Sequence, residues 1–282
     1  VVLARWLRSR KRLCFTEPVE ETPETPENMR QIPHRPVILI PARMGSTRLP
    51  GKPLLMIGKE PMIVHVWRRA MESDIGPVVV ACDTKNIAEV VKRAGGEAVL
   101  TKPGHPSGSD RIWEALDKIQ GNAEKGKRDF DSIINVQGDL PTLDPSAIRA
   151  AYDLLKDPAV DIGTLAVEIK EEKDKRADQI VKAVIDLEEG KKKGRALYFS
   201  RLPAPGGEGP MYHHIGLYAY TRAALAKFVA APPSPLEQRE RLEQLRALAL
   251  GLHIAVAVIE TVPLGVDTKA DLEIARTMLE TK

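Results

Sequence analysis

The sequence predicts an α/β fold on a mixed, mostly parallel central sheet with an antiparallel excursion, and three observations carry that prediction. From residue 37 to residue 136, short runs of apolar β-formers alternate with stretches of helical periodicity, the pattern of a sheet built through crossover helices. The first run, Val37, Ile38, Leu39 and Ile40, has no polar member and reads as a strand buried on both faces. Between 161 and 220, strand-like segments follow one another instead, two of them joined by a Gly- and Lys-rich turn, which predicts a hairpin.

The elements follow in order. After the first strand, Pro61 to Glu72 reads as a helix with Ile63, Val66, Trp67 and Ala70 on one face and Pro61 at its start. Pro77 to Ala81 is a buried strand ending at Asp83. Thr84 then caps a helix with the stripe Ile87, Val90, Val91 and Ala94, stopped by Gly95 and Gly96. A short strand at 97–100 precedes a helix marked by Ile112, Leu116 and Ile119, and Ser132 to Val136 is the next strand. Strands are then expected at 161–169, 180–186, 195–200 and 212–220. Helices follow at 222–230 and, as one piece, at 235–250; a strand at 253–259 and a helix from Lys269 close the chain.

Composition bounds the function. The 282 residues suffice for a large core, and 29% charged with 43% hydrophobic residues is an ordinary globular balance. A net charge of +3 and 4% aromatics speak against a general nucleic-acid binder. Cys14 and Cys82 lie far apart without metal-ligand spacing, which fits free thiols in a reducing, cytoplasmic setting. No apolar run approaches the roughly 18 residues of a membrane span. Residues 1–36 differ from the rest: Arg5, Arg8, Arg10, Lys11 and Arg12 precede a Glu-, Thr- and Pro-rich stretch, and the segment reads as a disordered tail before a domain at 37–282. Because the chain starts at Val and Met29 stands shortly before the first strand, residues 1–28 are expected to be upstream sequence.

The richest motif is VILIPARMGSTRLPGKP, residues 37–53. Its strand delivers Arg43, Arg48 and Lys52 on a loop where Gly45 and Gly51 let backbone amides come close to a ligand, which suits a polyphosphate. It is not a P-loop ATPase motif: five residues separate the glycines instead of four, and Pro53 follows the lysine. By the rule that ligands sit beyond the carboxyl ends of strands, Arg43, Asp83, Ser107 and Asp139 face one crevice. Two readings stand for each further motif. HPSGSDR (105–111) is a helix cap, or a ligand contact through the same exposed amides. NVQGD (135–139) is an Asx-type turn, or a strand-end carboxylate for Mg²⁺. Asp267 of GVDT is a cap of the last helix, or a second carboxylate for the ion. YHHIGLYAY (212–220) sets His214, Gly216, Tyr218 and Tyr220 on one strand face, as packing or as a site. PLEQRERLEQLRAL (235–248) is an amphipathic helix whose Glu237 and Arg241 pair at i,i+4. No Ser/His/Asp, Cys/His or metal-thiolate constellation stands out.

In the order IPARMGSTRLPGKPL, PMIVHV, HPSGSDR, NVQGD, ALYFSR, HHIGLYAY, PSPLEQRERLEQLR and PLGVDT, these motifs make the chain from about Pro36 onward resemble the 3-deoxy-manno-octulosonate (Kdo) cytidylyltransferases. The resemblance implies a Rossmann-like nucleotidyltransferase domain and a homodimer with the 161–220 portion at its interface. It implies Mg²⁺ and the conversion of CTP and Kdo to CMP-Kdo and pyrophosphate for lipopolysaccharide assembly. By matching position, Arg43, Arg48 and Lys52 would hold the CTP phosphates, with Ala42, Ser107 and Gly108 by the cytosine and ribose. Asp139 and Asp267 would hold Mg²⁺, and Arg43, Lys52 and the two aspartates would carry the catalysis. Gln137, Arg111, Arg201, His214, Tyr218, Glu243 and Gln244 would form the sugar-acid pocket. Leu140 departs from the pattern, since many members have Glu there, and the stretch from Arg201 to His214 is short. The rival readings are a cytidylyltransferase for another sugar acid and a silent nucleotide-binding protein.

Overall fold

The computed structural model describes residues 33–46, 48–121 and 128–280, so the expectations for residues 1–32, the upstream status of 1–28 included, lie outside the described residues. At residues 33–36 the expected tail is already part of the fold. The N–H groups of His34 and Arg35 donate to Asp131, Tyr152 Oη donates to Pro33 O, and Pro36 begins the first strand.

In chain order the elements are β1 (Pro36–Ala42), β2 (Met56–Ile57), β3 (Glu60–Pro61), α1 (Met62–Met71), β4 (Val78–Cys82), α2 (Lys85–Arg93), β5 (Glu97–Leu100), α3 (Gly108–Gly121), β6 (Ser132–Asn135), α4 (Pro145–Tyr152) and β7 (Ile162–Glu168). There follow α5 (Glu172–Lys175), β8 (Lys182–Asp186), β9 (Lys193–Ser200), β10 (Tyr212–Thr221), α6 (Arg222–Ala230), α7 (Pro235–Glu240), α8 (Gln244–Ala249), β11 (Ile254–Ile259) and α9 (Lys269–Glu280). Nine strands form one sheet in the order β5-β4-β1-β6-β10-β7-β11-β9-β8, while β2 and β3 make a separate ribbon.

The sheet is mixed, but the expected parallel majority is absent. β5, β4, β1 and β6 pair in parallel, as do β7 and β11, whereas β10 runs antiparallel to β6, β7 and β8, and β9 to β11 and β8. The cause lies in the connections. The strands β1, β4, β5 and β6 are joined through α1, α2 and α3, while β8 and β9 are joined by a short turn, and strands joined without a crossover can only pair antiparallel with each other.

Helices cover both faces. On one, Ile63 and Val66 of α1, Ile87 and Val91 of α2 and Ile148 of α4 pack on the sheet; on the other, Ile112 and Leu116 of α3, Phe228 of α6 and Leu245 of α8 do so. The strand β10 divides its residues between them, with Ile215, Leu217 and Ala219 on the first side and Tyr218 and Tyr220 on the second. A third, small core of Leu49, Ile57, Met62, Val266, Leu272 and Ala275 docks α9 against the loop after β1.

Local departures have local reasons. Helix α4 was not among the expected elements, although Asp144 accepts the N–H of Ser146 and Pro145 opens the helix. The expected helix at 235–250 is two helices, because Arg241 adopts a left-handed conformation at φ 56°. That break turns Arg241 away, so Glu237 pairs with Arg246 across the bend at 2.6 Å, and not with Arg241. Thr84 stands at the start of α2, yet its hydroxyl makes no capping bond and is buried without a partner among the described residues.

Candidate active site

The loop after β1 is pinned from below and above. Asp83, at the end of β4, accepts the N–H of Met44 with both carboxylate oxygens at 3.2 Å. Gly51 takes φ 68°, a conformation that costs glycine little, and starts a tight turn at Lys52–Leu54. From that turn Lys52 Nζ reaches Asp139 Oδ2 at 2.8 Å and Asp267 Oδ1 at 3.0 Å. Arg48 Nη2 meets the other oxygen, Asp267 Oδ2, at 3.0 Å.

The two aspartates converge from opposite ends of the chain. Asp139 follows β6 across Gly138, where a Cβ would stand 2.6 Å from Pro41 O, so a side chain there would push the aspartate's turn off β1. The N–H of Val266 donates to Asp139 O at 2.9 Å, which brings Asp267 beside it. The cap of α9 belongs to Thr268, whose Oγ1 accepts the N–H of Asp271, and Asp271 accepts the N–H groups of Asp267 and Thr268. The Asp267 carboxylate is thereby left for cations. Burial would lower the Lys52 pKa, but the two carboxylates outweigh it and raise it, so the ammonium stays charged.

Two cavities meet at this point. A smaller one of about 480 Å³ is lined by Ala42, Arg43, Arg48, Lys52, Ser107 and Gly108, every residue expected to hold the nucleotide. A larger one of about 1250 Å³ takes in His214, Gly216 and Leu140. Arg48, Gln137, Asp139 and Asp267 line both, so the paired aspartates stand in the shared wall. Ser107 caps α3, its Oγ accepting the N–H of Asp110 at 3.2 Å, and the same residue lines the smaller cavity.

The family model described as cytidylyltransferase matches residues 37–254. The 3-deoxy-manno-octulosonate cytidylyltransferase of Rhodospirillum centenum is 57% identical over 252 residues, covering 89% of this chain and 96% of its own. That of Parvibaculum lavamentivorans is 58% identical over 250 residues, covering 89% and 95%. The chain belongs to the 3-deoxy-manno-octulosonate cytidylyltransferase family. Among solved structures, a CMP:2-keto-3-deoxy-manno-octonic acid synthetase complexed with CTP superposes with a TM-score of 0.79 at 36% identity, over 88% of this chain and 99% of that one. A cytidylyltransferase from Leptospira borgpetersenii, at TM-score 0.55 and 18% identity, shares the fold.

Within this cytidylyltransferase the seven residues expected around the sugar acid are not gathered in one wall. Gln137 and His214 line the larger cavity. Arg111 lines the smaller one, and its guanidinium donates to Thr101 Oγ1, Lys102 O and Pro103 O at 2.7, 3.1 and 3.3 Å. Arg201 lines neither, donating to the carbonyls of Glu240, Asp178 and Arg241 at 3.0, 3.1 and 3.3 Å. Tyr218, Glu243 and Gln244 also stand outside both walls. Gln244 Nε2 lies 3.4 Å from His214 Nδ1, and His214 Nε2 lies 3.1 Å from Thr164 Oγ1. Since the Gln244 amide donates, Nδ1 accepts, Nε2–H donates to Thr164, and the threonine hydroxyl passes on to Leu217 O at 2.9 Å. Burial depresses the His214 pKa to about 3 and keeps the ring neutral. It also raises Glu243, whose Oε2 accepts from Ser109 Oγ at 3.4 Å. Sequence reasoning missed Thr164 and the clamp from Asp83 to Met44; a threonine in a strand carries no signal, whereas Asp83 had been placed at the crevice.

Proposed function

We propose that this cytidylyltransferase transfers CMP from CTP to the anomeric hydroxyl of Kdo, releasing pyrophosphate. The observation that carries the reading is the pair of cavities sharing Arg48, Gln137, Asp139 and Asp267: a cationic one of nucleotide size, and a roomier one opening on the same two carboxylates. The four parallel strands β5, β4, β1 and β6, with loops at their carboxyl ends, support a Rossmann-like description.

The chain's own residues supply positioning and charge. The triphosphate enters beside Arg43, Arg48 and Lys52; the Arg48–Asp267 pair is exposed, so Arg48 exchanges its carboxylate for phosphate at little cost. Ala42, Ser107 and Gly108 bound the nucleoside. The sugar occupies the larger cavity, with Gln137 and His214 in its wall, and its hydroxyl approaches the α-phosphorus across the shared wall. The O–P bond to the sugar forms as the α–β bridge and the hydroxyl's O–H bond break, the proton passing to water, and Lys52 and Arg43 offset the charge that gathers on the leaving pyrophosphate.

The donor set fits magnesium. Asp139 and Asp267 converge on one cation, the Lys52 ammonium, and a hard divalent ion bound by two carboxylates completes its shell with phosphate and water. Asp139 and Asp267 would hold it, and when bound it neutralises phosphate charge and lowers the pKa of a ligand oxygen.

The product serves lipopolysaccharide assembly, and dependence on CTP supports a cytoplasmic setting. The exposed leucines Leu197, Leu202 and Leu236, on and beside β9 and α7, support a homodimer through the antiparallel portion. Pyrophosphate release with Mg²⁺, CTP or UTP, and Kdo or a sialic acid tests the assignment. Turnover confined to CTP with Kdo is expected; preference for another acid or nucleotide refutes it.

A further inference from the structure

One face of α3 carries Arg111, Glu114 and Lys118, and all three reach back over the chain that enters the helix. The Arg111 fork holds Thr101, Lys102 and Pro103. Lys118 Nζ donates to Leu100 O at 2.7 Å and pairs with Glu114 Oε1 at 2.7 Å. Glu114 Oε2 accepts the N–H of Lys102 at 3.0 Å and also bonds His105 Nε2. The segment from Leu100 to His105 is thus stapled to the helix by six bonds through five of its residues, and His105 stands in the wall of the smaller cavity with Ser107 and Gly108. Nothing in the proposed reaction uses Glu114 or His105.

The His105 and Glu114 side chains are 15% and 16% exposed, so little water competes for their contact. Burial would raise the Glu114 pKa, but its bonds from Lys118, Lys102 N–H and His105 outweigh that and hold it at about 2. A carboxylate beside Nε2 settles the tautomer. In the neutral ring the proton stays on Nε2, where it is bonded, and Nδ1 is left as an acceptor. No group among the described residues pairs with Nδ1.

We infer that His105 reads the base in the nucleotide cavity and that Glu114 is its positioning residue, together presenting an acceptor that matches cytosine and opposes uracil. Cytosine offers an amine donor where uracil offers a carbonyl acceptor, so a fixed Nδ1 acceptor favours the first and repels the second. The inference rests on the CTP reading above and goes beyond it, by naming how this cavity separates two pyrimidines of nearly equal shape.

The test compares CTP and UTP affinities by calorimetry in the presence of Mg²⁺ for the full-length protein and its His105→Phe, Glu114→Gln and Lys118→Met variants. His105→Phe keeps a ring and removes the acceptor; Glu114→Gln keeps the shape and frees the tautomer. Both are expected to weaken CTP binding about tenfold and to narrow the CTP-to-UTP ratio by about the same factor, with KM for Kdo unchanged within about twofold. Lys118→Met is expected to leave the ratio alone. Long-range ¹H–¹⁵N spectra are expected to show protonated Nε2 and bare Nδ1 at His105, and a mixed signal in Glu114→Gln. An unchanged ratio in His105→Phe, a Lys118→Met effect as large as that of Glu114→Gln, or a bare Nε2 in the wild type overturns the inference. Affinity is read without turnover, so failure of the reaction itself appears separately, as an absence of pyrophosphate release from wild-type protein with CTP and Kdo.

Discussion

Asp267→Asn exchanges one oxygen for an amide nitrogen and leaves the shape of the site almost unchanged. The carboxylate it removes faces Lys52 at 3.0 Å and Arg48 at 3.0 Å. At an effective dielectric of about 20, a unit pair at that distance is worth about 5 kcal/mol in bare Coulomb energy. Asp267 is 45% exposed and Arg48 68%, however, so solvent leaves the Arg48 pair with about 1 kcal/mol or less. Lys52 keeps Asp139 at 2.8 Å and is not stranded. The stability cost is therefore about 1–2 kcal/mol, a few degrees of Tm for a chain of this size. Turnover is expected to fall far more. Loss of one preorganised charge at a reacting centre costs about 10²–10³ in kcat, and loss of a carboxylate proposed to hold the metal adds to that. Affinity for CTP is expected to hold or improve, because a negative charge has left the triphosphate's wall. Pyrophosphate release at saturating CTP and Kdo, a thermal melt and CTP calorimetry together separate these effects. Turnover within about tenfold of wild type removes Asp267 from the chemistry, and a Tm loss above about 10 °C would reassign it to structure.

Three further outcomes follow from the geometry. Gly138→Ala places a Cβ 2.6 Å from Pro41 O, and a loss of about 1–3 kcal/mol in urea unfolding is expected, with activity lost through displacement of Asp139; wild-type stability would contradict the contact. His214 has its pKa lowered from 6.5 to about 3, so the unfolded chain binds an additional proton between those values. Its contribution to stability is complete above pH 6.5 and is lost toward pH 3, at up to about 1.4 kcal/mol per unit; His214→Gln is expected to flatten that slope, and parallel slopes refute it. Chelation by EDTA is expected to abolish turnover and excess Mg²⁺ to restore it, with the melting curve nearly unmoved because Lys52 bridges the carboxylates in the absence of the ion.

Much of the first half of the fold was readable because β1 and β4 are continuous apolar runs and α1 and α2 carry clean stripes, whereas the two-residue strands of the β2–β3 ribbon are too short to leave a pattern. The second half was less so, for reasons outside any local window. Whether β10 pairs parallel or antiparallel with β6 depends on its connection, and nothing in YHHIGLYAY encodes a neighbour. The residues around Arg241 keep helical periodicity on both sides, and the bend appears only where Glu237 meets Arg246 and Arg201 takes the carbonyls of Glu240 and Arg241. At the site, Lys52, Asp139 and Asp267 were visible as residue types on loops, and their convergence comes from Gly138 and from one backbone bond at Val266. Arg111 and Arg201 show the limit of motif reading: a guanidinium in a motif gives no sign that backbone carbonyls occupy it.

The bond from Val266 N–H to Asp139 O, with the small core that seats α9, also bears on the timing of synthesis. Asp267 lies 215 residues beyond the lysine it faces. The nucleotide loop, Asp139 and most of the sheet leave the ribosome well before their last carboxylate does, and folding proceeds from the N-terminal side. A nascent chain can thus shape the loop around Lys52 and Asp139 early while lacking Asp267. Docking of α9 closes the circuit late in synthesis, and a chain cut short before Val266 is expected to release no pyrophosphate.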